Sequence, residues 1–411
     1  MLVASVMLCN NPKHLGKCLQ VAISVAAILS FENPLAHEDS AAEMDAKATD
    51  GKQGHQKDDD ALRREDLNAV AQRYGGDVFA TLTILRAYEE QAKTNASQLH
   101  TFCKKNSLHV TVIREITQLK KQLASICAAR VKSEEEGSGL LEFSLLKRAV
   151  NDAGGREGLQ NVTPRANAQI ATTIQHAICV GWADRVARRI TVSERIDERE
   201  GRNLLSSTHK MKKRYQTLFG DSVVSLRRKS PISRNRPEFV VYRDLIQGAK
   251  NINMECVTEV HPSWLSTILK PIATFSSPLE DPEPVYDPKS DMSYCWIHPT
   301  VGKHDWSLPI CQVEAKDKST RCKAFLIALL RGKVYPELRA LFGPVPEYSA
   351  IGTSSHPGVI MALLTLEKFN VATRKRFAQA ACLKKNFMLE ELTKCSKKPQ
   401  EFEKAFALLF K

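Results

Sequence analysis

The spacing of apolar residues changes twice along the chain, and this change limits the possible folds more than any other sequence feature. Val78, Leu82, Leu85 and Tyr88 recur at the spacing of an amphipathic helix. After Ala183 the apolar residues gather in short β-branched runs that glycine and proline separate, at 222–226, 238–242 and 253–260. Such runs predict a small β-barrel. Helical spacing returns beyond residue 321, so the sequence predicts an α+β fold with a barrel between two helical regions.

These patterns divide the chain into five segments. Residues 1–34 are an apolar helical start, 66–182 a helical domain, 183–312 the barrel and 313–411 a helical extension. Residues 35–65 contain no aromatic and no β-branched side chain except Thr49. Such a segment cannot bury enough apolar surface to fold, so we expect a flexible insert.

The longest apolar run extends from Cys18 to Phe31 and covers 14 residues, whereas a membrane-spanning helix needs about 20. Residues 1–8 contain no Lys or Arg, unlike the start of a signal peptide. We therefore predict a core helix. The 11 cysteines are scattered within apolar runs, which favours reduced, buried thiols in an intracellular protein.

Positive charge is concentrated in the predicted barrel. The chain carries 59 Lys and Arg against 46 Asp and Glu, a net charge of +13. Between Arg185 and Lys250 there are 17 basic and 7 acidic residues. A solvated basic face is one interpretation of this stretch. Its density favours the other interpretation, a surface that binds phosphates.

Several motifs resemble one family of proteins. Gly76-Asp77-Val78-Phe79-Ala80-Thr81-Leu82, Phe102-Cys103-Lys104-Lys105-Asn106-Ser107-Leu108 and Lys121-Gln122-Leu123 are similar to the ratchet (helicase-associated) domain of DEAH-box RNA helicases. Residues 181–189, 237–242 and 257–265 resemble the OB-fold of that family. The order of the motifs matches over residues 1–312. The resemblance implies that segment 66–182 is the ratchet domain, that 183–312 is the OB-fold, and that 1–34 is a remnant at the winged-helix junction.

The C-terminal tail narrows the resemblance. Trp306-Ser307-Leu308-Pro309, Phe325-Leu326 and Gly332-Lys333-Val334 resemble the extended C-terminal region of the ribosome-assembly branch, that of DEAH-box helicase thirty-seven. This branch implies action in the nucleus and nucleolus on the precursor of the small ribosomal subunit. The implied partners are pre-ribosomal or other single-stranded RNA, a small nucleolar RNA and a helicase activator protein, with no membrane.

The chain departs from that family in its motor. The sequence contains no G-x-x-x-x-G-K-[ST] phosphate loop and no Asp-Glu-Ala-His, whereas the family has two RecA-like ATPase lobes before this region. Either the gene model is truncated or the chain is a motorless derivative, and both readings stay open. We expect no catalysis and no cofactor in this chain; ATP and Mg²⁺ belong to the complete family enzyme.

An OB-fold binds single strands by combining a basic groove with exposed aromatic rings. Tyr215 and Tyr242 are candidates for stacking on bases, with a place in the barrel core as the alternative. The cations are candidates for phosphate contacts, with a solvated surface or a protein-docking surface as the alternative. The predicted RNA-binding residues are Lys212, Lys213, Arg214, Tyr215, Arg227, Arg228, Lys229, Arg234, Arg236 and, on the ratchet helices, Arg114.

Other patterns are weaker. Lys120 and Lys121 are predicted to face away from the apolar stripe of their helix, where they would line an RNA channel or face solvent. Asn106 matches a family position that also suits helix capping. Four possible zinc ligands (Cys295, His298, His304 and Cys311) lack the paired spacing of structural zinc sites, so we expect no metal.

Two functions follow. The first is an RNA-binding accessory region of an ATP-dependent DEAH-box RNA helicase in ribosomal RNA processing and small-subunit biogenesis. The second is a motorless interaction module that docks a helicase activator or a pre-ribosomal protein.

Overall fold

The computed structural model divides the chain into two compact units. The first contains Met1–Leu269 with Gly302–His304, and the second contains Lys270–Val301 with Asp305–Lys411. The division falls near residue 270, and the strands Val285–Asp287 and Met292–Ile297 pack with the helix Lys318–Leu330. The residues described are 1–35, 64–133, 141–161, 163–190, 214–220, 223–227, 230–248, 251–351, 356–384 and 386–410.

The first unit begins with a helical region. Its apolar run forms a helix at Leu15–Leu29 whose side chains are mostly buried, which confirms the prediction of a core helix. The expected insert lies outside the described residues except at its ends. Among the described residues, no helix has the length and apolar character of a membrane span. The helices of this unit are α1 (Leu2–Met7), α2 (Leu15–Leu29), α3 (Arg64–Arg73), α4 (Asp77–Thr94), α5 (Leu99–Lys105), α6 (Val110–Ser133), α7 (Leu141–Asp152), α8 (Gly155–Gln160), α9 (Ala168–Gly181) and, after the strands, α10 (Pro262–Ile268).

A buried ion pair joins the helices of this region. The Lys120 ammonium on α6 lies 2.7 and 2.8 Å from the two carboxylate oxygens of Glu89 on α4. It also donates to the Asn161 carbonyl at 2.8 Å and to the Thr163 hydroxyl at 2.9 Å. The Thr163 N–H donates to Glu89 at 3.0 Å, and the Thr163 hydroxyl lies 3.1 Å from that of Ser24 on α2. Because both charged groups have several partners, burial of the pair is tolerated.

This network corrects one prediction from the sequence. Lys120 was expected to face an RNA channel or solvent, but its exposed fraction is 1%. Burial lowers the pKa of Lys120, and the Glu89 carboxylate opposes that change. Its neighbour Lys121 is exposed, as expected.

The barrel follows the helical region and is closed. The sheet order is β5-β6-β3-β2-β1-β4-β7, and every pair is antiparallel except β3 with β6. In the chain, β4 leads into β5 and β6 leads into β7. The β4–β7 pair and the β5–β6 pair share one register, with Val241 opposite Thr258 and Asp244 opposite Glu255. The two ends of the sheet are therefore parts of one hairpin, so the seven segments make a five-stranded barrel. They are β1 (Val186–Arg189), β2 (Arg214–Thr217), β3 (Val223–Leu226), β4 (Phe239–Val241), β5 (Asp244–Gln247), β6 (Ile252–Glu255) and β7 (Thr258–Val260).

Helix α4 begins as an extension of this barrel. The Glu259 N–H on β7 donates to the Gly75 carbonyl at 2.7 Å, and the Asp77 N–H donates to the Val257 carbonyl at 2.9 Å. Gly75 has a φ of +60°, and a Cβ there would lie 2.7 Å from Nε2 of Gln175. Glycine at 75 therefore permits both the backbone conformation and the close approach. The Gly-Gly-Asp segment thus fixes the helical region to the barrel.

The second unit combines two small sheets with a helical core. One sheet has the order β13-β10-β9 and the other β12-β11-β8. The core contains many aromatic rings, and Phe377 contacts Phe325, Tyr335, Phe387 and Phe406. Together the two units confirm the predicted α+β fold, with helical regions on either side of the barrel in the sequence. The elements are β8 (Thr274–Phe275), β9 (Val285–Asp287), β10 (Met292–Ile297), β11 (Pro299–Val301), β12 (Trp306–Ser307), β13 (Cys311–Glu314), α11 (Lys318–Leu330), α12 (Pro357–Phe369), α13 (Arg374–Leu383), α14 (Leu389–Lys394) and α15 (Pro399–Leu409).

The buried pair makes a prediction about stability. Lys120→Met leaves the Glu89 carboxylate buried without its cation, so the free energy of unfolding should fall by about 3–5 kcal/mol. Lys120→Met combined with Glu89→Met removes both charges and should destabilise less than the single change. Urea unfolding followed by circular dichroism measures both, with Lys121→Met as the exposed control. A loss below about 1 kcal/mol for Lys120→Met would contradict this account.

Candidate nucleic-acid interface

Lys212, Lys213, Arg228 and Lys229 lie outside the described residues, so their predicted contacts with RNA stay predictions. The remaining predicted residues fall into four settings, which are the barrel interior, one end of the barrel, the joint with the helical region, and the helix α6.

Tyr215 lies in the barrel interior. Its side chain is fully buried among the barrel core residues, and its hydroxyl donates to the Pro237 carbonyl at 2.9 Å. Burial raises the pKa of the Tyr215 hydroxyl, which is consistent with a neutral, hydrogen-bonded phenol. Tyr242 is also buried. Neither ring is available for stacking on bases, so that prediction is wrong for both tyrosines and their alternative place in the core is confirmed.

Four arginines lie on neighbouring chain segments at the end of the barrel where β1 ends and β2 begins. The Ile190 N–H donates to the Arg214 carbonyl at 3.0 Å, and the Arg189 N–H donates to the Glu238 carbonyl at 2.7 Å. The Arg189 guanidinium donates to the Arg236 carbonyl. These bonds bring Arg189 and Arg214 beside the turn that carries Arg234 and Arg236. We call these four residues the arginine end of the barrel.

The side chains of the arginine end are accessible. Arg234 and Arg236 are exposed, and Arg189 and Arg214 are half-buried. Arg234 ends a short turn (Pro231–Arg234), and the next residue, Asn235, donates from its amide to the Gln72 carbonyl at 3.0 Å. The turn is therefore held against α3. Exposed guanidinium groups on a fixed turn suit contacts with phosphates, which need no base recognition.

Arg227 has a structural partner. Its guanidinium lies 3.4 Å from Glu255, a buried carboxylate that also pairs with Arg243. Arg243 in turn donates to the Phe31 carbonyl, at the end of the first helical segment. Arg227 therefore belongs to a network of charges at the joint between barrel and helices, and its guanidinium is only partly exposed.

Asp77 lies in the same network. Its carboxylate accepts from the Val257 N–H at 3.0 Å and from the Ser230 hydroxyl at 3.3 Å. Burial raises the pKa of Asp77 to about 6, and the hydrogen bonds and the nearby Arg227 act in the opposite direction.

Arg114 is exposed on α6 and hydrogen-bonds the Tyr88 hydroxyl. That helix packs on α2, α7 and α8, so Arg114 belongs to the helical region and not to the arginine end. Asn106 sits at the end of α5, where its amide donates to the Phe102 carbonyl at 2.9 Å. The capping role considered for Asn106 therefore occurs at the C-terminal end of a helix.

Phe219 is an aromatic residue of the barrel that the sequence reasoning missed. It lies two residues after the end of β2, and its exposed fraction is 60%. On the outer face of β2, Gln216 lies 2.7 Å from His304 Nε2. The signal in the sequence was an aromatic residue directly before Gly220, at a turn between two alternating runs.

The four possible zinc ligands do not assemble. Cys295 and Cys311 are buried on neighbouring strands of the second unit, whereas His304 belongs to the first unit and His298 is exposed. Among the described residues there is no group of three or more side chains that could hold a metal ion.

Asp77 makes a prediction about pH. An unperturbed aspartate has a pKa of 3.8 and the folded protein holds this one at about 6. Between these pH values the folded state binds more protons than the unfolded state, so the stability that Asp77 contributes decreases as pH rises. Asp77→Asn has no such proton. The difference in unfolding free energy, native minus Asp77→Asn, should fall by about 1–3 kcal/mol from pH 4 to pH 7. A flat or rising difference in urea unfolding would contradict the raised pKa.

Comparison with known proteins agrees with this geometry. Residues 174–272 match the family model described as oligonucleotide/oligosaccharide-binding (OB)-fold. This range contains the whole barrel, from Val186 to Val260, and ends before residue 312. The chain is 29% identical over 356 residues to the ATP-dependent RNA helicase DEAH13 of Arabidopsis thaliana, covering 82% of this chain and 26% of that protein.

Two further relatives are also named as ATP-dependent RNA helicases. The chain is 25% identical over 306 residues to the putative ATP-dependent RNA helicase rha-2 of Caenorhabditis elegans, covering 74% of this chain and 24% of that protein. It is 25% identical over 324 residues to the probable ATP-dependent RNA helicase DHX37 of Homo sapiens, covering 78% and 24%. The chain thus spans about a quarter of the length of these relatives. The OB-fold match and the similarity to these helicases over most of the chain are consistent with the C-terminal half of a DEAH-box RNA helicase.

Proposed function

We propose that this chain is the RNA-gripping accessory region of an ATP-dependent DEAH-box RNA helicase. The observation that carries the proposal is the arginine end of the barrel, where three neighbouring chain segments carry Arg189, Arg214, Arg234 and Arg236. Phe219 adds an exposed ring on the same barrel. Cations that follow a backbone and a ring that stacks on a base are the two components of single-strand binding by OB-folds.

Such a surface holds RNA without reading its sequence. Guanidinium groups neutralise phosphates and release counterions, which gives affinity for any single strand. Base stacking on phenylalanine is also tolerant of sequence, because every base has a flat face. This kind of grip suits an enzyme that moves along RNA. In a complete helicase of the resembled family, ATP hydrolysis with Mg²⁺ would belong to RecA-like lobes, whose phosphate loop does not occur in this sequence.

The cellular process is also part of the proposal. The relatives are named as RNA helicases, and the tail motifs resemble the ribosome-assembly branch. We therefore assign the chain to ribosomal RNA processing and small-subunit biogenesis in the nucleolus, with pre-ribosomal RNA and a small nucleolar RNA as substrates.

A charge-removal experiment tests the grip. A triple variant with Gln in place of Arg214, Arg234 and Arg236 should bind a fluorescent 20-nucleotide oligouridine about 10- to 100-fold more weakly. The slope of log affinity against log salt should become shallower by about 2, because each phosphate contact contributes about 0.7 on a single strand. Arg227 is left unchanged because its loss would disturb the joint.

The matched control changes Lys104, Arg156 and Arg165 to Gln, which removes the same charge from exposed sites on the helical region. Fluorescence anisotropy between 50 and 300 mM KCl measures the RNA affinity of both triple variants. Equal losses in the two would mean that net charge alone governs binding, and no loss in the first would reject the arginine end.

The ring of Phe219 has a different expected signature. Phe219→Ala should lower affinity for the same RNA by roughly 10-fold, within the range of about 1–3 kcal/mol per stacked base. The salt slope should stay unchanged because no phosphate contact is lost. Phe219→Trp should retain binding. An unaltered affinity for Phe219→Ala would show that no base stacks there.

A further inference from the structure

The second unit exposes large apolar side chains along one helix. On α12, Met361 and Leu364 have exposed fractions of 49% and 53%, and Phe369 at the end of the helix is 42% exposed. At about 100° per residue, Leu364 and Phe369 lie on either side of Met361, so the three side chains cover one broad face of the helix. Apolar side chains that gather on a surface often mark a site for a partner, whereas single exposed ones need no explanation.

A groove lies on the Phe369 side of this apolar face. Its volume is about 560 Å³, and it lies between α12, which contributes Thr365 and Phe369, and the segment that contains Met388 and α14. The two helices meet closely at Gly358, where a Cβ would lie 2.9 Å from the Cys395 sulfur. They are thus held together at the start of α12, and the groove lies toward its end.

The groove is acidic although the chain is basic. Glu390, Glu391 and Glu403 line it together with one lysine, Lys394. Lys394 forms an exposed ion pair with Glu390 at 2.7 Å, and Glu391 accepts a hydrogen bond from Thr365 at 3.0 Å. The lining therefore has three carboxylates against one ammonium group, in a chain whose net charge is +13.

We infer that this groove docks an amphipathic helix of a protein partner, with basic residues on one edge of its apolar stripe. The apolar stripe would cover Met361, Leu364 and Phe369, as in other complexes in which a helix binds a groove. The basic edge would face Glu390 and Glu403. Carboxylates repel phosphates, so RNA does not suit this surface.

The dimensions and charges of the surface also specify the ligand. α12 has 13 residues and is about 20 Å long at 1.5 Å per residue, so a partner helix of three to four turns matches it. Lys384 and Lys368 lie 4.0 and 5.8 Å from the centre of the Phe369 ring. The negative C-terminal end of the docked helix is favoured beside these cations. This inference is independent of RNA binding by the barrel.

A peptide with designed charges tests the inference on the full 411-residue chain. The probe is a fluorescent 16-residue helical peptide with leucines at i, i+3, i+4 and i+7 and lysines beside them. The matched peptide has glutamates in place of the lysines. In fluorescence anisotropy the lysine peptide should bind at least 10-fold more tightly than the glutamate peptide.

Variants of the chain locate the binding site. Glu390→Lys with Glu403→Lys should reverse the preference, so that the glutamate peptide binds more tightly. Met361→Ser with Leu364→Ser should abolish binding of both peptides. Glu115→Lys with Glu157→Lys, at exposed sites of the first unit, is the matched control and should change neither. Circular dichroism confirms that each variant is folded.

Several outcomes would overturn the inference. The first is that the lysine peptide does not bind at concentrations up to about 1 mM, which corresponds to a weak affinity. The second is that both peptides bind equally well. The third is that the charge-reversed chain keeps the preference for the lysine peptide. Displacement of the peptide by oligouridine would mean that RNA occupies the groove. A dimer in sedimentation that Leu364→Ser dissolves would mean that a second copy of the chain does so.

Discussion

The first unit depends on a lysine that is almost completely buried. An ammonium group inside a protein is tolerable only when carboxylate and carbonyl oxygens replace its water, and Lys120 finds these on Glu89, Asn161 and Thr163. These residues come from different segments of the chain. The need of the Lys120 ammonium group for oxygen partners therefore fixes how α2, α4 and α6 pack. Apolar packing alone would permit sliding of these helices, whereas this network has one geometry.

Helix α4 connects the Lys120 network to the barrel. Glu89 near its end belongs to the Lys120 network, and Asp77 at its start accepts a hydrogen bond from the Val257 N–H of the barrel. Twelve residues separate them, about 18 Å at 1.5 Å per residue. One helix is thus fixed to polar partners at both ends, so the helical region and the barrel form one unit. The arginine end and Phe219 are held on this frame.

Much of the architecture could be predicted from the sequence, because helical spacing and β-branched runs report directly on burial. The side chains that were predicted wrongly have physical reasons. Arg214-Tyr215-Gln216-Thr217 alternates, and alternation alone does not show which set faces inward; hydrogen bonding of the Tyr215 hydroxyl inside the barrel made burial acceptable. Lys120 was misplaced because a charge is normally a sign of the surface. The sequence did not indicate the division near residue 270, where the described strands that follow form two sheets of their own.

The arrangement of β2 limits how an RNA strand can lie on the barrel. Arg214 starts this strand and Thr217 ends it, about 10 Å away at about 3.3 Å per residue, and Phe219 lies two residues further along the chain. At about 3.4 Å per stacked nucleotide, an RNA strand lying along β2 would need at least roughly three nucleotides to pass from Arg214 to the far end of the strand. Shorter oligonucleotides can reach the cations or the ring but not both. The proposed RNA grip would therefore require a minimum length of single strand to use both the cations and the ring.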